Sequence, residues 1–197
     1  MKSYMRFLIV TLILCCGAAA LAGTREFKQD VELTNSQIDQ ARILLSKAIP
    51  TLTDFSHRVE STYLTGSREV YPNDFHKASI EIQMVADRIG TMKTELDILV
   101  EHPPQTAAAH RSAMELRKGI ADLQNQALKG KVENNGSAVS NFVSKTYNEE
   151  RLKIQDEYSG DERGAAATIA HNASLVKKRL SDSSRLADQL VQLTRPD

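Results

Sequence analysis

Phe75, Ala78, Ile82, Val85, Ile89, Met92, Leu96 and Leu99 recur at alternating steps of three and four, and no charge falls within the series. That spacing places apolar side chains along one side of a helix, and it predicts one over Asp74 to Val100. Each large apolar side chain withdrawn from water is worth roughly 1.5–3 kcal/mol. Such a stripe therefore demands partner helices, and the rest of the chain carries the patterns to provide them.

Ile38, Ala41, Leu45, Ala48, Leu52, Phe55 and Val59 repeat the same spacing and predict a helix ending near Tyr63 and Leu64. Thr34 is placed to cap its start, with Gln37 three residues on reaching back to the cap amide. Gly23 to Asp30 then reads as a polar lead-in. Pro50 removes a backbone hydrogen bond inside the pattern, but the apolar phase survives across it, which argues for a kink over a break. Gly66 to Asn73 reads as a connection. Glu101-His102-Pro103-Pro104 is a firm stop, because consecutive prolines cannot continue a helix interior.

Gln105 to Lys129 restarts with a narrower stripe, Ala109, Ala113, Leu116, Ile120, Leu123 and Ala127. Lys131 to Ser137, containing Asn134-Asn135-Gly136, reads as the next loop. Ser137 to Tyr158 follows as the weakest helix, with Val139, Val143, Tyr147, Ile154 and Tyr158 on one face and Glu150 interrupting them. Gly160 and Gly164 suggest a turn or irregularity. Ala165 to Leu193 closes the chain, with Ser181 to Ser184 as a weak point in its middle. No sustained alternation marks a strand. The expected fold is therefore all-α, an antiparallel bundle of four or five amphipathic helices.

The first 22 residues read as a secretory signal peptide: Lys2 and Arg6, an apolar run from Phe7 to Cys16, and the small-x-small Ala20-Leu21-Ala22. Residues 23–197 then form a single helical-bundle domain. The apolar run is short for a membrane span, and no later segment reaches the roughly 20 apolar residues needed. The expected location is extracellular, or periplasmic in a bacterium. Both cysteines of the 197-residue chain, Cys15 and Cys16, lie in this leader. Cleavage leaves no thiol for a disulfide, a thiolate metal site or a nucleophile.

Formal charge is zero, and basic residues do not concentrate in one region, so the footprint of a nucleic-acid binder is lacking. The five histidines are scattered without HExxH or paired ExxH motifs, and Asp54-Phe55-Ser56-His57 is the nearest approach to a di-iron unit. There is no GxSxG elbow, phosphate-binding loop or CxxCH. The expectation is a non-enzyme without cofactor or metal. Asn135-Gly136-Ser137 and Asn172-Ala173-Ser174 fit the glycosylation sequon, with Asn135, in its expected loop, the better candidate acceptor.

Leu33-Thr34-Asn35-Ser36-Gln37 matches the LTxxQ signature and so resembles a family of bacterial periplasmic helical chaperones and metal sensors. That family carries the motif twice, whereas this chain has it once. Arg151 to Pro196, with Lys153 to Tyr158, Gly160, Leu186, Leu190 and Pro196 in comparable places, resembles the C-terminal part of the fungal hydrophobic surface-binding protein A family. Glu150, the high charge content and the long helix before Leu64 depart from that pattern. The resemblance implies a secreted helical protein that adheres to hydrophobic surfaces or holds lipids between its helices, with no catalytic residues.

These readings converge on an apolar ligand, lipid or fatty acid, or a hydrophobic surface. The expected binding residues are Val85, Ile89, Met92 and Leu96, facing the small-residue side of Ala113, Leu116 and Ile120. Small side chains opposite large ones leave volume if the helices do not collapse together. The competing expectation is a chaperone-like or structural bundle whose partner is a protein. An enclosed apolar cavity would favour the first reading and an exposed apolar surface the second.

Overall fold

The computed structural model describes residues 2–65, 72–149 and 160–196, with side chains described over 26–61, 73–145 and 162–196. Five helices follow one another: α1 (Lys2–Thr65), α2 (Pro72–Glu101), α3 (Ala107–Lys129), α4 (Val132–Glu149) and α5 (Gly160–Leu193). The described residues contain no strand, and the fold is an all-α bundle. None of the described helices is long and apolar enough to cross a membrane.

The bundle has four rods, because α3 and α4 run end to end. Going up α1, Ile38 lies beside Gly119, Ser46 beside Gln126, Ile49 beside Gly130 and Thr53 beside Asn135. Along α5 the order reverses, with Asp188 on Arg117, Leu180 on Gln124 and Lys177 on Glu133. The α3–α4 rod is thus parallel to α1 and antiparallel to α5. α2 also packs on α1 and α5, and it lies diagonally across from the broken rod. Its register on α1 is antiparallel, set by Arg88 donating to Gln37 at 2.7 Å and Arg58 to Asp74 at 2.8 Å. Arg179 of α5 donates to the Ala86 carbonyl of α2, filling the space that Gly90 leaves open. The segment from His102 to Thr106 therefore crosses the end of the bundle diagonally, a span that its Pro-Pro stretch suits by staying extended. Thr106 then caps α3, its hydroxyl accepting from the Ala109 N–H at 3.1 Å.

Every stripe residue of α2 from Phe75 to Leu99 is buried, together with the α1 series from Ile38 to Val59. Phe55 and Phe75 meet edge to face, 4.7 Å between centroids, closing the core near the α1–α2 connection. Residues 66–71 of that connection lie outside the described residues. So do Ile154 and Tyr158, expected on the fourth helix, and the side chain of Tyr147.

Several expected boundaries are corrected. The helix does not begin at Thr34. The backbone of α1 is already helical upstream, Phe27 and Val31 are buried there, and Thr34 is fully buried with its hydroxyl donating to the Asp30 carbonyl at 2.8 Å. Gln37, expected to reach back to the cap, instead accepts from Arg88. Asp30 is therefore inside a helix and not the end of a lead-in. Pro50 is exposed, and α1 continues through it.

The serines did not loosen α5 either, since Ser183 is buried and donates to the Arg179 carbonyl at 2.8 Å. A hydroxyl satisfied by its own helix's carbonyl four residues back can occupy a core position without breaking the helix. Gly164 lies inside α5, not in a turn. The loop expected over Lys131 to Ser137 is only the two-residue turn Gly130–Lys131, and Asn134, Asn135 and Gly136 are in the first turns of α4. Burial of Val132 and Val139 outweighs the turn preference of the Asn-Asn-Gly sequence.

Candidate functional site

Val85, Ile89, Met92 and Leu96 of α2 and Ala113, Leu116 and Ile120 of α3 are each 0% exposed. They belong to one continuous core. The face-to-face arrangement expected for them is not the one formed, because α2 and α3 occupy opposite corners of the bundle with α1 and α5 packed between. The small side chain of Ala113 is enclosed in that shared packing, and none of the seven lines either of the grooves described next.

The break between α3 and α4 makes a different site. In a continuous helix the α3 stripe, having reached Ala127, would recur three or four residues later. The next large buried residue is Val132, five residues on, and a straight α-helix cannot hold that step on one face. The turn absorbs it. Gly130 closes α3, its N–H donating to the Gln126 carbonyl and that of Lys131 to the Leu128 carbonyl, each at 3.0 Å. A side chain at Gly130 would have to displace Ile49 of α1, two of whose carbons lie 2.7 Å from where its Cβ would be. Lys131 follows with φ at 48°, the left-handed region that costs an L-residue with a Cβ roughly 1–2 kcal/mol. The turn is tied to α1 by Asn135, whose amide donates to the Gly130 carbonyl at 3.2 Å and to the Thr53 hydroxyl at 3.1 Å.

Where the rod breaks, its side chains no longer cover α5, and a groove of about 370 Å³ opens between them. Ala173, Val176 and Leu180 of α5 and Val132 of α4 lie beneath it, packed to between 0% and 3% exposure, so the apolar surface it offers comes from Leu128 and half-buried Ala127 of α3 at one side. Leu128 is 76% exposed. Two close approaches bound the groove: Gln124 donating to the Leu180 carbonyl at 3.1 Å, and Gly136, where an added Cβ would lie 2.7 Å from that of Ala173. Lys131 and Lys177 stand at the rim, the latter 2.5 Å from Glu133. A concave surface of a few hundred Å³, mostly apolar with a few placed polar groups, has the composition of a small-molecule site.

A second depression, about 640 Å³, lies over the α2–α5 seam and is lined by Asp87, Gly90, Thr91, Lys93, Thr94, Glu95 and Arg179. It carries charges of both signs and no large apolar side chain, so it offers an apolar molecule nothing. His110 serves the packing of α3 on α5, its Nδ1 lying 3.1 Å from the Val191 carbonyl oxygen. Among the described residues no group of three His, Cys, Asp or Glu side chains is arranged to hold a metal ion.

Asn135, expected in a loop as a glycan acceptor, is in α4, and the amide nitrogen that would carry the sugar is engaged by Thr53 and Gly130. Asn172 of the other sequon is buried in α5.

Sequence reasoning missed the groove residues because Lys131 to Ser137 had the composition of a solvated loop. The five-residue step from Ala127 to Val132 was the available signal, once Val132 is taken as part of the stripe. No family model, curated protein or solved structure matches the chain.

Proposed function

We propose that the protein is a secreted, noncatalytic helical bundle that binds an apolar ligand, a lipid or fatty acid, or a hydrophobic surface, and that it does so on its outside, at the groove where α3 gives way to α4. One observation carries this reading. The stripes expected to open around a ligand are fully buried in a shared core, while the groove is open to solvent and carries the exposed Leu128 beside half-buried Ala127. Burying apolar ligand area against Leu128 and Ala127 is worth roughly 25 cal/mol per Å². The test is titration of lipid-stripped protein with a fluorescent fatty acid. Saturable binding is expected, and Leu128→Asp should abolish it with helical content unchanged, since Leu128 is largely exposed and its replacement costs the fold little. Absence of saturable binding to any apolar probe overturns the proposal.

The alternative is a chaperone-like or structural bundle that binds other proteins. It rests on the large apolar residues left half-exposed, among them Ile80 and Met84, one turn apart on α2 at 58% and 50%. Ile80→Lys combined with Met84→Lys would abolish partner capture under that reading and leave fatty-acid binding intact under the first.

A further inference from the structure

The groove's rim carries information about its ligand that its apolar lining does not. Lys131 and Lys177 both line it, and the one carboxylate among the lining residues is Glu133. That carboxylate is already neutralised by Lys177 at 2.5 Å. Among the described residues the side chain of Lys131 has no ion-pair or hydrogen-bond partner, and it leaves the turn from a backbone at φ 48°. The turn thus places a cation beside the exposed Leu128 at the groove's edge, with a second cation, Lys177, held across it by an exposed pair with Glu133. Such a pair contributes at most about 1 kcal/mol, so a competing anion can share Lys177 at small cost.

Resting on the proposed apolar binding, we infer that the groove takes a single-chain amphiphile with an anionic head, a free long-chain carboxylate. Its head lies between Lys131 and Lys177 and its tail lies against the exposed side chain of Leu128. The groove's volume suits one chain and not a two-chain lipid, since drug-sized sites begin at roughly 300 Å³. Charge complementarity selects the head, because a cationic head would meet two ammonium groups and a neutral one would forgo both. Glu133 opposes the carboxylate, and this gives the inference a prediction of the opposite sign.

The full chain, stripped of lipid, is titrated with a fluorescent long-chain fatty acid below its micellar concentration. The alcohol and the trimethylammonium compound of equal chain length serve as competitors. The carboxylate should bind about tenfold or more tighter than the alcohol, the scale of one or two partly screened charges at close range. Lys131→Gln, which keeps an unbranched polar side chain and the backbone strain while removing the charge, should weaken the carboxylate about five- to tenfold and leave the alcohol unchanged. Glu133→Gln should tighten the carboxylate, an outcome a purely structural role for the Glu133–Lys177 pair does not give. Lys129→Gln, outside the groove, should change nothing. A diazirine-bearing fatty acid should label peptides covering residues 124–134 and 173–181.

Equal affinity for carboxylate and alcohol, or a Lys131→Gln variant that binds both as before, overturns the anionic-head inference and leaves apolar binding standing. A signal only above the micellar concentration, or labelling confined to other helices, overturns the groove as its site. Absence of binding to all three amphiphiles overturns the underlying apolar-binding reading with it.

Discussion

Gly136→Ala should destabilise the protein although alanine is the better helix former. The gain from replacing glycine inside a helix is about 1 kcal/mol. Against it stands the closest approach of α4 to α5: the new Cβ would lie 2.7 Å from the Ala173 Cβ and 3.3 Å from the Ile169 carbonyl oxygen. Neither neighbour can rotate away, because one is a Cβ and the other is backbone. The seam must open by roughly 0.7 Å to restore ordinary contact, and a gap of that order forfeits a quarter to a half of each dispersion well along it. Val139 and Ile169, both buried with Gly136 along this seam, would share that loss. Overpacking a tight core costs about 1–3 kcal/mol, and with both neighbours rigid the upper part of that range, about 2–3 kcal/mol, applies and outweighs the propensity gain. The expected net loss is about 1–2 kcal/mol, or roughly 3–6 °C in Tm for a chain of this size.

Gly164→Ala provides the matched control, because α5 leaves nothing within 4 Å of a Cβ there; it should stabilise by about 0.5–1 kcal/mol. Thermal and urea unfolding followed by circular dichroism measures both. The double variant Gly136→Ala with Ala173→Gly should recover part of the loss, a coupling of about 1 kcal/mol or more between residues in direct contact. If Gly136→Ala is stabilising like Gly164→Ala, the two helices do not approach as closely as described and the reasoning fails.

Ile89→Asp places a carboxylate without a partner at a fully buried position and should cost several kcal/mol in urea unfolding. Ala113→Leu adds volume to a site that is 0% exposed and should lower stability by about 1–3 kcal/mol; weaker fatty-acid binding without loss of stability would instead restore a cleft beside Ala113. Lys131→Asn should raise stability by about 0.5–1 kcal/mol, because asparagine tolerates φ near 48° better than lysine does, while weakening the binding of long-chain carboxylates by titration. N-terminal sequencing of secreted material should begin at Gly23, and recovery of a chain beginning at Met1 would refute the leader assignment.

The apolar periodicity determined by itself that the described chain is helical and which face of each helix is buried. Phe75 to Leu99 on α2 and Ile38 to Val59 on α1 are buried as their spacing requires, because a stripe of large apolar side chains has no stable alternative to burial. The double proline ended α2 where backbone chemistry said it must. Local preference failed where burial opposed it. Thr34 and Ser183 have the chemistry of caps and breakers, but each is drawn into the core with its hydroxyl returned to its own helix. Asn134-Asn135-Gly136 has the composition of a loop, yet the packing of Val132 and Val139 makes it helix, and Gly136 serves close approach to Ala173 in place of a turn.

Only the tertiary structure decided which helices are neighbours. Every stripe can pack against any other, since apolar burial is non-directional, so nothing in the spacing placed α2 diagonally from α3. That placement encloses Val85, Ile89, Ala113 and Ile120 in a common core and removes the expected cleft. The groove is likewise a product of assembly. It exists because a five-residue step from Ala127 to Val132 meets a neighbouring α5 that stays continuous, and residues more than 40 positions apart in sequence, Lys131 and Lys177, become the two sides of one opening.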